Sequence, residues 1–503
     1  MNQIHTSKLY IGKAGCSTDS VMKSNNIKFI INISNGVFSL NDNTYTYFDL
    51  PLEDKIDQNI LDVLSKTFNF IEKSLIKEGN ILVCCTSGIS VSAAIIIAFI
   101  MYKEKINYKT AKNIVQKSRP SIELNVGQIQ QLKYLEYYLK NPMINPLNYY
   151  TLLFNYNLKY NTIKGMIYGQ CIGDALGMAT EFMPKIDIQK NYTKKYINYT
   201  DIVQDRHRSR FKQGDWSDDS DQMLLILECI NENQIDYKNF AKKLINWANH
   251  GFPELGDKCG NGLGHNTAKV LMRAEFVDNP FYASFRIWEK SNGTAISDGA
   301  VMRTSIFGIL QNIDEVIVKS DQFCKSTHWD IRCRISCVFI SVLIHLIIYK
   351  KHNKVIEQAV DITYSFLVSQ TFGMNQKEYI QEIWKEFIDV ISINNIKDLK
   401  LEEKGGYTYA PVSCAIYGLR RISAFDFLNI EGNVELSHSS NPFEDLINDI
   451  IKEGGDADTN AAVCGAVCGA WIGFQHLPDN LTNMYYRTYL DSKLELLFRN
   501  TLI

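Results

Sequence analysis

The sequence lacks an excess of either charge. Lys and Arg total 53 against 55 Asp and Glu in 503 residues, for a net charge of −2. Nothing in that balance advertises a polyanionic partner. Proline is scarce, 10 residues against 29 glycines, which excludes a proline-rich linker protein and suits helices joined by tight turns. The N-terminal MNQIHTSKLY has no apolar signal region. The longest apolar run, ISCVFISVLIHLIIY (335–349), is shorter than a membrane-spanning helix needs and contains His345. The expectation is a soluble, cytoplasmic protein with no membrane and no nucleic-acid partner. Cysteine is present at 12 residues, too few for a disulfide scaffold in a chain this long. Cys333/Cys337 and Cys464/Cys468 sit at helical spacing in apolar stretches, as buried thiols do.

What is present is ordinary globular material, 46% hydrophobic and 21% charged, in a chain too long for one core. Up to about residue 142 strand-like and helix-like patterns alternate. IKFIINIS (27–34) and NILVCC (80–85) read as buried strands, NILDVLSKTFNFIEKSLI and YKTAKNIVQKS as amphipathic helices. Such alternation predicts a sheet covered by helices. NPMINPLNYY (141–150) carries two prolines and polar Asn, and 143–159 is read as a linker. Beyond it, long helical patterns punctuated by Gly predict an all-α domain over 160–503.

LVCCTSGISVSA (82–93) reads as a strand, a loop of small residues and a helix start. That arrangement aims backbone N–H groups and a helix N-terminus at one point, which suits an anion and stabilises a thiolate at Cys85. These residues resemble the dual-specificity phosphatase signature at Cys85, Gly88, Ser90 and Ser92. KLYIGKAG, YFDLPLED with Asp54 at the general-acid position, and SRPSIELNVGQIQQL with Arg119, Pro120 and Asn125 extend the resemblance over 8–140. Two positions depart from it. Val91 stands where the phosphate-clamping Arg belongs and Cys84 where His precedes the nucleophile. No other side chain reproduces the bidentate Arg clamp, and losing such a transition-state contact costs several kcal/mol. A catalytically inactive phosphatase fold that binds or positions is the expectation, with residual Cys-dependent activity as the alternative.

The second half spaces glycines by four, Gly165, Gly169, Gly173 and Gly177 in one stretch and Gly465, Gly469 and Gly473 in another. Each Gly costs roughly 1 kcal/mol of helix propensity, so a bare helix face implies close approach of another backbone. Acidic residues adjoin these stretches. The first runs into Asp174 and Glu181, and GGDADTNAA (454–462) precedes the last with Asp456, Asp458 and Thr459. GDWSDDSDQM (214–223) places Ser217, Asp218 and Asp219 before its own apolar run. Capping accounts for either acidic stretch alone. If tight packing joins them, the carboxylates and hydroxyls converge, and like charges at close range require compensation. Oxygen ligands suit Mg²⁺ or Mn²⁺, and the absence of a His-rich or Cys-rich set argues against zinc. Asp215 and Asp221 stay open between capping and ligation.

GQCIGDALGMATEF, GDWSDDSDQM, SDGAVMRTSIFG, STHWDIRC, GGYTYAPVSCAIYGL and GGDADTNAA occur in order across about 160–475. In this they resemble the ADP-ribosylglycohydrolases. The resemblance implies an all-α fold with two Mg²⁺ or Mn²⁺ ions and an ADP-ribosylated protein as substrate. By position it implies Ser217, Asp218, Asp219, Asp456, Asp458 and Thr459 as metal ligands. Glu181, Asp218 and Asp219 become catalytic candidates to direct water. Asp174, Asp298, Gly299, His328 and Tyr407 become substrate contacts, with Tyr409 a second wall aromatic. Asp298 stands where Asn-Gly is usual, and Asn292-Gly293 in SNGTAIS offers another register. The implied reaction breaks a protein–ribose bond through an oxocarbenium-like state. The alternative from another class is an ADP-ribose-binding protein without turnover. The first domain, with Asp54, Cys85, Ser90, Val91 and Ser92 in its loop, is expected to engage a protein partner or a phosphate.

Overall fold

The computed structural model describes all residues except 5–7, 15–17, 35–43, 56–57, 141–145, 351–353, 371–376, 425–440 and 502–503, and the backbone alone at 130, 134, 137, 138, 140, 146–158, 350 and 499–501. It divides into two compact units, Met1–Asn157 and Leu158–Ile503.

In the first unit the strands β1 (Asn2–Gln3), β2 (Leu9–Lys13), β3 (Ile27–Asn32), β4 (Thr46–Asp49) and β5 (Asn80–Cys85) form a five-stranded sheet of order β1-β2-β5-β3-β4. The pairs β2–β5, β5–β3 and β3–β4 are parallel, and β1 joins antiparallel at the edge. Central β5 is apolar on both faces because both are covered. Its alternation sends Cys84 into one core and Cys85 toward the other. The helix Val91–Glu104 is buried along almost its whole first three turns.

Of the segment read as a linker, 143–145 lie outside the described residues. Residues 146–159 are helical, the start of the helix Pro146–Gly177. Proline at the first position of a helix removes only an N–H that would have no partner there, so Pro146 begins a helix inside the segment read as a linker.

The second unit is helical. Among its described residues the β pairing is one isolated bridge, Ser297–Tyr407. The apolar run at 335–349 lies in a helix of 20 residues, Ile331–Lys350, longer than the run itself. By length and composition that helix could cross a membrane, but 89% of its apolar window is buried inside the structure, as a central core helix is. The glycine stripes meet. A Cβ on Gly169 would stand 2.1 Å from the Gly465 carbonyl oxygen, one on Gly165 2.3 Å from that of Gly469, and one on Gly173 2.0 Å from that of Ala461. Rising numbers on one helix face falling numbers on the other, so Pro146–Gly177 and Ala457–Ile472 run antiparallel. The end of the first helix, at Gly177, therefore abuts the start of the second, at Asp458.

Candidate active site

Three helix ends meet at that junction. The helix Asp218–Asn231 is drawn in by Asp174, whose two carboxylate oxygens accept the backbone N–H groups of Ser217 and Ser220, both at 2.9 Å. Ser217 is the N-cap, its Oγ accepting from the Asp219 N–H at 3.4 Å. Asp456 stands at the N-cap of Ala457–Ile472. Carboxylate oxygens of Asp174, Asp219 and Asp458 lie within 4.8 Å of one another, as do those of Glu181, Asp456 and Asp458.

Electrostatics set this cluster apart from ordinary caps. Burial, reinforced by Asp174, Glu181 and Asp456, pushes Asp218 up to about 8. Burial also raises Asp174 and Asp456 to about 6 and Asp219, Asp458 and Asp298 well above the usual range. Asp298 joins from the loop before the helix Val301–Thr304. Both it and Asp456 press on Gly406, where a Cβ would meet their carboxylates at 3.2 and 2.9 Å. Buried Asp219 Oδ1 and Asp298 Oδ2 have no hydrogen-bond partner among the described residues. Buried carboxylates whose oxygens go unsatisfied imply a missing positive partner, and an all-oxygen donor set is what a hard divalent cation requires.

A chain of buried polar groups runs from this cluster. Gln222 Nε2 donates to Asp218 Oδ2 at 2.7 Å, and Arg303 donates to Gln222 Oε1 and to Thr327 Oγ1, each at 2.5 Å. Thr327 Oγ1, accepting from Arg303, lies 2.8 Å from His328 Nδ1, and His328 Nε2 lies 2.9 Å from Ser297 Oγ. Burial and the Arg303 charge hold His328 down at about 3, so the ring is neutral. Ser297 lines a cleft of about 910 Å³ together with Gly406, Tyr407, Lys269, Arg273, Lys290 and Lys404. Among the described residues no carboxylate lines it. Arg273 is paired with Glu275, whereas the buried Lys404 Nζ has no hydrogen-bond partner among the described residues.

The sequence model of the ADP-ribosylglycohydrolase family matches residues 156–501, more than half of the chain. The chain belongs to the ADP-ribosylglycohydrolase family. The catalytic-domain model of the dual specificity phosphatases matches residues 9–137, so a domain of that type precedes the glycohydrolase domain. The ADP-ribosylarginine hydrolase Tri1 of Serratia proteamaculans is 23% identical over 320 residues, 63% of this chain and 72% of its own length. A solved ADP-ribosylglycohydrolase-related protein complex aligns over 68% of this chain and 99% of its own, with 18% identity and a TM-score of 0.47. Dual specificity protein phosphatase 19 of Mus musculus is 33% identical over 126 residues, 25% of this chain; the chain spans 57% of that relative's length.

Within the glycohydrolase domain the structure brings Glu181, Asp218, Asp219, Asp456 and Asp458 together, with Ser217 Oγ 3.3 Å from Asp219 Oδ2 and Thr459 beside Asp219, its N–H donating to Asp458 Oδ1 at 3.0 Å. Three expectations shift. Asp174, read as a substrate contact, spends both oxygens on backbone N–H groups and is fully buried. His328, read as a substrate contact, has both ring nitrogens engaged, Nδ1 with Thr327 and Nε2 with the cleft residue Ser297. Asp298, read as a substrate contact, faces acids, because its loop packs on Gly406. Asn292 and Gly293 instead form a left-handed turn ending the helix Pro280–Lys290, with φ of 54° and 74°. Gly299 lies 3.3 Å from His328 by its would-be Cβ. Tyr407 lines the cleft and donates to Glu386 at 2.5 Å, its ring edge-on to buried Tyr409. Asp221 is no ligand: it accepts the indole N–H groups of Trp216 and Trp247 at 2.8 and 2.9 Å. Asp215 accepts the Trp216 backbone N–H, and burial raises it to about 7.

Sequence reading missed His207, Arg208, Gln222 and Arg303. His207 Nε2 lies 2.5 Å from Glu181 Oε2, and Arg210 donates to His207 Nδ1 at 2.6 Å, so the Nε2 hydrogen points at Glu181. Arg208 ties down the turn before Phe182, donating to the carbonyls of Met178, Ala179 and Glu181. The run RHRSRFK (206–212), directly ahead of GDWSDD, was the available signal.

In the phosphatase-type domain Cys85 Sγ accepts the Gly88 N–H at 3.2 Å and lies 3.1 Å from Ser92 Oγ. Burial pushes its thiol up, but Ser92, Gly88 and Ser87 outweigh that and hold it below the ordinary value. Asp54 Oδ1 accepts from Ser90 Oγ at 2.7 Å, Asn125 at 2.9 Å and Gln128 at 3.1 Å. Val91 is 2% exposed and belongs to the apolar core. Neighbouring Cys84 lies on the opposite face, raised by burial to about 12.

Proposed function

We propose that the second unit hydrolyses the glycosidic bond between ADP-ribose and a modified protein side chain, using two divalent cations, Mg²⁺ or Mn²⁺, and that the first unit is an adaptor without phosphatase turnover. The observation that carries the first claim is the convergence of Asp218, Asp219, Asp456, Asp458 and Glu181 with unsatisfied buried oxygens. Ser217, Asp218, Asp219, Asp456, Asp458 and Thr459 would hold the ions. Bound there, they supply positive charge to align the distal ribose hydroxyls and activate water. The chain's own residues do the rest. Gln222 occupies one oxygen of Asp218 and so fixes its carboxylate plane. Glu181, held by His207, stands ready to orient water and take its proton. The cleft offers Lys269, Lys290 and Lys404 to a diphosphate and the Tyr407 ring to an aromatic base. The protein is cytoplasmic in this reading, and the substrate is an ADP-ribosylated protein.

The test is incubation of the full chain with proteins ADP-ribosylated on Arg or on Ser, with Mg²⁺ or with chelator. Free ADP-ribose is expected only with the cation. Absence of release from every linkage would sink the hydrolase reading, and tight ADP-ribose binding without release would favour the binding-protein reading.

The adaptor claim rests on Val91. A clamp cannot be made by an aliphatic side chain buried in the core, and Asp54 is committed to three donors. Turnover of p-nitrophenyl phosphate by the full chain is expected to equal that of Cys85→Ser. Activity lost on that substitution would overturn the assignment.

A further inference from the structure

We propose that the basic surface at 206–212, with Phe182 beside it, docks an acidic stretch of the protein that carries the ADP-ribose. The proposal rests on the hydrolase reading and adds to it the chemistry of the partner.

Arg206, Arg210 and Lys212 are exposed on one short segment. None is ion-paired among the described residues: Arg210 bonds to the backbone oxygen and Nδ1 of His207, and Lys212 to the Tyr486 hydroxyl at 3.0 Å. Arg208, in the same run, is paired with Asp205, and in a chain of net charge −2 three further cations without ion pairs on so short a segment are a local choice rather than a consequence of composition. The segment is pinned to the site. His207 holds the Glu181 carboxylate, and Arg208 donates to the Glu181 carbonyl at 2.7 Å. Next to Glu181, Phe182 is 60% exposed at φ +50°. A bulky aromatic in the left-handed region is a costly conformation, here fixed by its N–H donating to the Gly455 carbonyl at 2.8 Å. The result is an aromatic ring standing out into solvent at the edge of the acid cluster.

This surface and the cationic cleft reach the acids through different residues. The cleft arrives through Gly406 and Ser297, against Asp456 and Asp298. Glu181 arrives with Asp456 and Asp458. If the nucleotide half of the substrate fills the cleft, the protein half leaves past Glu181, over Phe182 and the cations. Three charges match a few carboxylates flanking the modified residue. They fall short of the 6–10 phosphate contacts of a nucleic-acid footprint.

The test uses two peptides carrying one ADP-ribose, flanked by Glu or by Gln, and the full chain with Mg²⁺. Binding by fluorescence anisotropy is expected to favour the Glu peptide about tenfold at low ionic strength, with the preference shrinking as salt screens it. The double variant Arg206→Glu/Lys212→Glu should lose or invert the preference while free ADP-ribose binds as before. Equal binding of both peptides by the wild type, or an equal loss on both in the variant, overturns the surface. So does tighter variant-sensitive binding of a single-stranded oligonucleotide than of the Glu peptide. Because binding is the readout, a preserved Glu preference without ADP-ribose release supports the surface and counts against the hydrolase reading instead.

Discussion

Asp219→Asn is expected to cut ADP-ribose release by at least about 10³-fold and, in the same protein, to raise the melting temperature of the metal-free form. The two effects have one cause. Asp219 is 2% exposed, its Oδ1 has no hydrogen-bond partner among the described residues, and Asp174, Asp218 and Asp456 all disfavour a charge on it. Asn at this position spares the metal-free fold both a buried charge and the proton uptake that a buried carboxylate with a raised pKa requires on folding. It also removes a ligand that would hold the cation, and about 4 kcal/mol of lost transition-state stabilisation corresponds to a thousandfold in rate. Hydrolysis assays and calorimetry with chelator present check both halves. Added Mg²⁺ should stabilise the wild type by several degrees and the variant far less. A variant that is inactive but also less stable without metal would show that Asp219 serves folding instead.

Gly169→Val should destabilise the second unit by at least about 3 kcal/mol and abolish its activity. A methyl on Gly169 would already lie 2.1 Å from the Gly465 carbonyl oxygen and 2.9 Å from its carbon. Backbone stands on both sides, so no side chain can swing away. The helices must part, and with them the Gly177–Asp458 junction that brings Glu181 to Asp458. A displacement of about 1 Å at a reacting centre costs on the order of a hundredfold, so activity should fall before the fold does. Gly465→Ala enters the same gap from the other helix. Urea unfolding of Gly169→Ala, Gly465→Ala and their combination should show a double variant less destabilised than the sum, since the second methyl enters a gap the first has opened. Strict additivity would mean that the two glycines do not face each other.

The glycine period, the two acidic stretches and the strand–loop–helix at Cys85 were readable because each is a local pattern. Period-four glycine has few meanings in a helix, and an alternating strand–helix order implies a covered sheet. Asp221 shows where local reading stops. It sits two residues from Asp219 in the same acidic run, yet the helix turns it by about 200°, onto the indoles of Trp216 and Trp247. Asp174 was visible as an acid at a helix end, but not that its oxygens would be consumed by the start of another helix. The chain from Asp218 through Gln222, Arg303 and Thr327 to His328 links residues up to 110 positions apart, and no periodicity encodes it.

The two-part organisation, the family, the all-α character of the larger part and the residue types of an oxygen-rich cluster are all written in local stretches of chain. Those follow from composition, period and ordered motifs, which are properties of neighbours along the chain. Only the tertiary structure decided which acids cap, which clamp indoles and which are left with unsatisfied oxygens. It also decided that Glu181 answers to His207 and that Lys404 Nζ is buried with no hydrogen-bond partner among the described residues. Those are matters of distance between segments, set by how closely two glycine-faced helices pack, because charge and hydrogen bonding depend on what lies within a few ångströms in space rather than in sequence.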